Sequence, residues 1–197
     1  MPSQNTSHST GSDDPFKQGP RDWPRQTAGA AAHSGGSAVH AVTSADAPFQ
    51  WPVRVYWEDT DAGGIVFYAN YLKFFERSRT EWLRSLGIEQ QRLRDSTGGM
   101  FVVIETSTHH HRPARLDDEL IVTATLLKMG RVSLIIGQQV LLKSEHEKIA
   151  TATASENIIS NTALLCEGRI RIGWVDAASM RPARIPDSIV SRLKNPT

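Results

Sequence analysis

The order of apolar and polar residues predicts one long helix early in the chain. Between Tyr68 and Leu86, apolar side chains recur every three or four positions, which places them on one stripe of a helix. We predict that Asn70 caps its start and that Gly87 and Ile88 form a left-handed cap at its end. The apolar members are Tyr71, Leu72, Phe75, Trp82, Leu83 and Leu86, and the polar ones include Lys73, Glu76, Arg77, Thr80, Glu81 and Arg84.

Five segments have the pattern or composition of β-strands. WPVRVYWED alternates Val53, Val55 and Trp57 with Arg54, Tyr56 and Glu58, the period of two expected of a strand. Four later segments are rich in Val, Ile, Leu and Thr: MFVVIETSTHHH, ELIVTATLLKMG, RVSLIIGQQVLLK and LLCEGRIRIGWV. Serial strands with short connections pair antiparallel, so we predict an α+β domain, one helix on a curled sheet. Residues 143–163 fit a loop or additional strand, and we favour the loop.

The first 48 residues differ in composition from the rest. They are rich in Ser, Thr, Gly, Ala and Pro and have almost no large aliphatic side chains, so they bury too little surface to offset chain entropy. We therefore predict a disordered extension at residues 1–48 and one folded domain at residues 49–197. No apolar run approaches the ~20 residues of a membrane-spanning helix. The N-terminus lacks the apolar segment of a secretory signal, so we expect a cytoplasmic location.

The charge, cysteine and histidine content gives no indication of a nucleic-acid partner, a disulfide or a metal site. The chain has 197 residues and a formal net charge of +1, which requires neither a nucleic acid nor an anionic membrane as partner. The single Cys166 cannot form an intramolecular disulfide, and we interpret it as a buried strand thiol. Along a strand His109 and His111 share one face and His110 takes the other. No third ligand has a suitable spacing, so we predict no metal site.

The segment EDTDAGG allows three interpretations. As a calcium loop it has Asp59, Asp61 and Gly64 at the first, third and sixth positions, but Gly63 supplies no side-chain oxygen and Asn70 replaces the bidentate Glu. As a phosphatase of the haloacid dehalogenase type it should precede a doubly wound βαβ series, and the later strands argue against that. The third interpretation is a turn with two solvated acids and no chemistry.

The wider stretch VYWEDTDAGGIVFYANYLKFFERSRTEWL, with PARLDDEL and MRPARIPDSIV, resembles the hotdog-fold acyl-CoA thioesterases. This family includes 4-hydroxybenzoyl-CoA thioesterase, and the match is best to its YbgC-type, Tol-Pal-associated bacterial branch. It covers about residues 50–193. The resemblance implies a helix wrapped by an antiparallel sheet, subunits paired so that their sheets continue, and active sites at the dimer interface, often within a homotetramer that is a dimer of dimers. No G-x-S-x-G motif of serine hydrolases occurs.

The resemblance also implies roles for individual residues. Asp61 matches the family's essential acid, which acts as a general base or as a nucleophile. Asp59 is expected to brace the turn, and Gly63 and Gly64 leave room for the substrate. The backbone N–H of Tyr68 matches the oxyanion donor beside the helix N-terminus. The YbgC-type branch usually has His at this position, whereas the hydroxybenzoyl branch has Tyr, and a backbone donor survives that difference.

An acyl-CoA substrate and no metal or organic cofactor follow from the same resemblance. Arg131 and Ser133, at the turn before the strand RVSLIIG, align loosely with residues that meet the CoA nucleotide. An acyl carrier protein or a phospholipid-synthesis enzyme is implied as a partner, which agrees with a cytoplasmic protein placed peripherally at the inner membrane. The alternative from another class is a noncatalytic acyl-CoA or acyl-carrier-protein binding module of the same fold.

Overall fold

A computed structural model describes residues 47–151 and 163–195, so nearly all of the extension predicted at residues 1–48 lies outside it. Five strands and four helices are described, with one short 3-10 helix at Trp57–Asp59. In chain order they are β1 (Phe49–Arg54), α1 (Asn70–Ser85), α2 (Gln90–Thr97), β2 (Gly99–His110), β3 (Glu119–Met129), β4 (Ser133–Leu142), α3 (Lys143–Thr151), β5 (Leu164–Asp176) and α4 (Asp187–Lys194).

The strands form one antiparallel sheet in the order β1-β3-β4-β5-β2. This arrangement confirms the predicted α+β class and its curled antiparallel sheet. Consecutive strands lie side by side only from β3 to β5. β2 pairs with β5 instead of β3, because α1 and α2 separate β1 from β2 and the chain reaches the far edge of the sheet before β3 begins.

Helix α1 packs against β1, β3 and β4. Its buried positions recur at the predicted helical spacing, and Phe74 and Phe75 are fully buried. Leu72, which the sequence placed in the apolar stripe, is instead 43% exposed. Arg79 was not expected to be buried, yet it occupies the stripe four residues after Phe75.

The end of α1 has the predicted cap and its start does not. Gly87 adopts a positive φ of 71°, and the N–H of Ile88 donates to the carbonyl of Leu83 at 2.9 Å, which closes a left-handed cap. At the other end Ala69 is the capping residue and makes no side-chain cap bond. The predicted Asn70 cap is wrong because its amide Nδ2 donates to the backbone carbonyl of Asp59 at 2.9 Å, so the side chain holds the preceding turn.

A buried polar network joins α1 to the sheet. Arg79 Nη1 donates to Gln138 Oε1 at 2.9 Å, and Gln138 Nε2 donates to the carbonyls of Phe75 at 2.9 Å and Thr123 at 3.2 Å. Arg79 is 8% exposed and Gln138 is 2% exposed. Desolvation by burial lowers the pKa of the Arg79 guanidinium from its ordinary value. Gln138 therefore supplies an acceptor to a buried cation and links helix and sheet through two backbone carbonyls.

Three local predictions differ from the structure. The first strand ends at Arg54. The pairing with the segment before β3 continues for one more residue, since the Val55 N–H donates to the carbonyl of Asp118 at 3.0 Å, and the chain then enters the 3-10 helix. Trp57 consequently lies in the 3-10 helix and is 77% exposed. Residues 143–151 form α3, not a loop, and residues 152–162 lie outside the described part. The short helices α2 and α4 were not predicted.

Cys166 is a buried thiol on β5, as predicted. Burial raises the pKa of this thiol to about 12, so it stays protonated at neutral pH and is a poor nucleophile. Across residues 47–151 and 163–195, no helix combines the length and apolar character needed to cross a membrane.

Candidate active site

Asp61 lies at the tip of a short hairpin, residues 60–66, which we call the Asp61 hairpin. Thr60 and Val66 pair across its base as an antiparallel bridge. The N–H of Asp61 donates to the carbonyl of Ile65 at 2.9 Å, and the N–H of Gly64 donates to the carbonyl of Asp61 at 3.0 Å. These bonds close a tight turn that leaves the Asp61 side chain exposed to solvent.

The two glycines of the Asp61 hairpin serve different purposes. Gly64 has a positive φ of 68°, a conformation that favours glycine over residues with a side chain. A Cβ atom at Gly63 would lie 3.1 Å from Asp61 Oδ1, and the Gly63 N–H donates to that oxygen at 2.8 Å. The lack of a side chain therefore lets the Gly63 amide approach and orient the Asp61 carboxylate.

Asp59 is buried, in contrast to Asp61. It is 1% exposed, and its Oδ2 accepts the N–H of Tyr56 at 3.0 Å. Its backbone carbonyl accepts the N–H of Phe67 at 2.9 Å and Nδ2 of Asn70 at 2.9 Å. The Asp59 side chain thus bonds back to the residue that caps the 3-10 helix, and its backbone ties that segment to the start of α1.

Tyr68 lies in the turn that leads into α1, two residues before Asn70. Its side chain is 68% exposed, and its ring contacts that of Phe67 with centroids 4.5 Å apart. The Tyr68 backbone N–H makes no hydrogen bond to another residue of the described ranges. An unpaired N–H beside a helix N-terminus is placed to donate to an anion or to a developing negative charge.

The second arm of the Asp61 hairpin is attached to the loop that precedes β3. The N–H of Val66 donates to the carbonyl of Ala114 at 2.9 Å, and Ile65 forms an antiparallel bridge with Arg115. The N–H of Ala114 in turn donates to Tyr71 Oη at 2.9 Å. The first residues of α1 therefore hold both arms, and the sequence did not predict these roles. The sequence signal for the role of Tyr71 was its hydroxyl, a polar group at the start of an otherwise apolar helix stripe.

Arg131 and Ser133 lie together at the turn between β3 and β4. The N–H of Gly130 donates to the Ser133 carbonyl at 2.8 Å, and the Arg131 carbonyl accepts the N–H of Ile185 at 2.9 Å. The Arg131 side chain is exposed and Ser133 is half-buried. Within the described residues, no hydrogen bond joins this turn to the Asp61 hairpin.

The three consecutive histidines, two at the end of β2 and His111 just after it, point alternately to opposite sides as predicted. The rings of His109 and His111 are 4.5 Å apart, and His110 lies on the other face with its ring 5.0 Å from that of Tyr71. His111 Nε2 is 3.2 Å from Glu167 Oε1. Burial, with smaller contributions from the neighbouring histidines, lowers the pKa of His110. Among the residues that the structure describes, no three His, Cys, Asp or Glu side chains are placed to hold a metal ion.

A groove of about 460 Å³ lies on the sheet face turned away from α1. Its lining includes Thr125, Gly137 and Arg169, which are neighbours across three strands. Gly137 alternates along β4 with Gln138, whose side chain bonds to α1, so the groove must open on the opposite face. Neither Asp61 nor Tyr68 lines it, and the candidate site is therefore distinct from this groove.

Comparison with known proteins identifies the family. A family model described as the thioesterase superfamily matches residues 63–149. The acyl-CoA thioester hydrolase YbgC of Escherichia coli O6:H1 is 37% identical over 146 residues, 74% of this chain and 96% of that protein. The acyl-CoA thioesterase YbgC of Haemophilus influenzae is 36% identical over 144 residues, 73% of this chain and 93% of that protein.

A solved structure agrees with these sequence matches. The crystal structure of a protein from Bartonella henselae, described as a probable thioesterase, superposes with a TM-score of 0.59 at 26% identity and covers 71% of this chain and 100% of that one. The chain therefore belongs to the thioesterase superfamily, and within it to the hotdog-fold enzymes that include the YbgC thioesterases.

Proposed function

We propose that this enzyme hydrolyses an acyl-CoA to a free carboxylate and CoA, with Asp61 as the reacting acid. The observation that carries the proposal is the exposed Asp61 carboxylate, oriented by the Gly63 N–H at 2.8 Å in a hairpin that leads directly into α1. The activity named for the two YbgC relatives supports the choice of an acyl-CoA substrate. A thioester carbonyl is already electrophilic and its thiolate leaves readily, so one carboxylate and backbone donors can suffice.

Two routes use the Asp61 carboxylate. As a general base it takes a proton from water, whose oxygen bonds to the carbonyl carbon before the C–S bond breaks and the thiolate leaves. As a nucleophile its own oxygen attacks that carbon and expels the thiolate, and water then hydrolyses the mixed anhydride. Both routes place negative charge on the carbonyl oxygen, so both require a donor near that atom.

The backbone N–H of Tyr68 is our proposed donor to this oxyanion. Its support is the unpaired N–H within the described residues and its position two residues before α1, where the helix dipole is positive. The exposed Tyr68 ring, in contact with Phe67, is then free to shape the entrance without taking part in the chemistry. Asp59 serves this arrangement indirectly, because its buried carboxylate and backbone fix the base of the Asp61 hairpin.

We also propose that Arg131 and Ser133 contact the nucleotide of CoA. Arg131 has an exposed guanidinium on a turn held by Ile185, and arginine suits phosphate recognition. Arg131→Ala should raise KM for an acyl-CoA by about 10-fold, the equivalent of one lost charged hydrogen bond, and leave kcat unchanged. The matched measurement uses the corresponding acyl-pantetheine, which lacks the phosphates. An equal rise in KM for both thioesters would contradict the assignment.

The exposed edge of β2 favours an oligomer in which two copies of the chain pair through this strand. β2 pairs with β5 on one side, and no described strand pairs with its other side. Val103 and Ile104, next to the bulge in this edge strand, are 54% and 56% exposed. A second copy that pairs here would extend the sheet and cover these side chains. Light scattering across a range of protein concentrations should give at least a dimer, and a monomer throughout would refute the pairing.

Thiol release from a panel of short, long and aromatic acyl-CoAs tests the proposed reaction. We expect many equivalents of CoA thiol per chain, followed with a thiol reagent that absorbs on reaction. The buried Cys166, with its pKa raised to about 12, should contribute little background. The rival binding module predicts saturable acyl-CoA binding with no thiol release from any member of the panel.

A further inference from the structure

We infer that Tyr71 is a positioning residue for the reaction, because its hydroxyl fixes the loop to which the second arm of the Asp61 hairpin is bonded. The inference rests on the role proposed for Asp61. Tyr71 is 2% exposed, so it acts through the backbone groups that it contacts and not through the substrate.

Two consecutive hydrogen bonds connect Tyr71 to the Asp61 hairpin. Tyr71 Oη accepts the N–H of Ala114 at 2.9 Å, and the carbonyl of Ala114 accepts the N–H of Val66 at 2.9 Å. Val66 pairs with Thr60, the residue just before Asp61, across the base of the hairpin. A change in the position of Ala114 therefore reaches the residues on either side of the carboxylate.

The Tyr71 ring is held on two sides, which makes its hydroxyl a fixed point. The ring of Phe74 meets it edge-on with centroids 5.9 Å apart, and the ring of His110 from β2 does so at 5.0 Å. Burial raises the pKa of the Tyr71 hydroxyl, so the group remains a neutral phenol over the working pH range. Ala114 is itself 0% exposed, and its N–H has no access to water as an alternative partner.

Adjacent residues of α1 hold the two arms of the hairpin independently. Asn70 bonds to the carbonyl of Asp59, just before the first arm, and Tyr71 anchors the second arm through Ala114. Loss of the Tyr71 hydroxyl would leave the first anchor in place. The expected consequence is a hairpin that still forms but holds the Asp61 carboxylate less accurately, which lowers kcat and leaves KM nearly unchanged.

Tyr71→Phe removes only the hydroxyl and keeps the ring. We expect a fall in kcat of about 10-fold or more, towards the ~10²-fold loss that a displacement of about 1 Å can cause, with KM within about 2-fold of wild type. Ser78→Ala is the matched control, because Ser78 is buried on the same helix and its Oγ donates to the carbonyl of Val122 at 3.0 Å. It loses a comparable bond without a connection to the hairpin, and its kcat should be unchanged.

Hydrogen exchange of the peptide that contains residues 60–67 provides a second readout that does not depend on activity. The Asp61 amide, bonded to the Ile65 carbonyl, and the Val66 amide, bonded to the Ala114 carbonyl, should exchange faster in Tyr71→Phe and at the wild-type rate in Ser78→Ala. Equal kcat losses in both variants, or unchanged exchange in Tyr71→Phe, would overturn the positioning role. Full activity of Asp61→Asn would instead remove the proposed reaction on which it rests, so the two failures are distinguishable.

Discussion

Asp61→Asn should lower kcat/KM for an acyl-CoA by about 10² to 10⁴-fold, the range expected when a general base or nucleophile is lost. Asparagine retains a side-chain oxygen that can accept the Gly63 N–H, now bonded to Asp61 Oδ1 at 2.8 Å. The turn should therefore keep its shape, and the melting temperature should stay close to that of wild type. Initial rates of thiol release, with Tm measured on the same samples, provide the test.

Variants of two other aspartates show whether the loss of rate is specific to Asp61 or follows from the loss of any negative charge. Asp95→Asn alters a carboxylate on α2 that accepts only the side chain of Gln91 in the hydrogen bonds of the described residues, and it should leave the rate unchanged. Asp59→Asn alters the buried acid that accepts the Tyr56 N–H, so we expect a lower Tm and a smaller loss of rate than for Asp61→Asn. A rate for Asp61→Asn within error of wild type would contradict the proposed role.

Gln138→Ala should lower the free energy of unfolding by about 3 kcal/mol, because it leaves the buried Arg79 guanidinium without its Gln138 acceptor. It also removes the donor to the carbonyls of Phe75 and Thr123. Urea denaturation at one fixed protein concentration would measure the change, since association could otherwise shift the midpoint.

The double variant Arg79→Met with Gln138→Leu tests the reason for that loss. Replacing both members of the pair with apolar side chains removes the unsatisfied cation, so it should be less destabilising than the sum of the two single changes. We expect a coupling energy of about 1–3 kcal/mol. Additive single and double changes would show that the network contributes through packing alone.

The parts of the fold that depend on residues close together in the sequence were predictable. The β3–β4 pairing follows from apolar strands joined by the short connection at residues 130–132, and the left-handed cap at Gly87 follows from its glycine and the apolar Ile88. The sequence pattern does not encode which distant strand lies beside β2, because that depends on how α1 and α2 carry the chain across the sheet. Asn70 was misassigned for a similar reason, since a tertiary bond to Asp59 replaced the expected local cap.

The candidate site was recognised from its motif, but the contacts that support it were not. Asp61 and the two glycines stand in one short stretch that resembles a known family. The anchors of the hairpin require Tyr71 and Ala114 to meet across more than forty positions of sequence, and the helix–sheet network requires Arg79 to meet Gln138. The domain boundary at residue 48, the cytoplasmic or peripheral location and the carrier-protein or phospholipid-synthesis partner stay predictions.

A crystal structure with a nonhydrolysable ketone analogue of an acyl-CoA would test the central claim most directly. The account predicts the ketone oxygen about 3 Å from the Tyr68 backbone nitrogen, within the usual range for an oxyanion donor. It also predicts an Asp61 carboxylate oxygen about 3–3.5 Å from the carbonyl carbon, or one water away from it. A ketone bound elsewhere, with neither Asp61 nor the Tyr68 N–H near it, would contradict the proposed site.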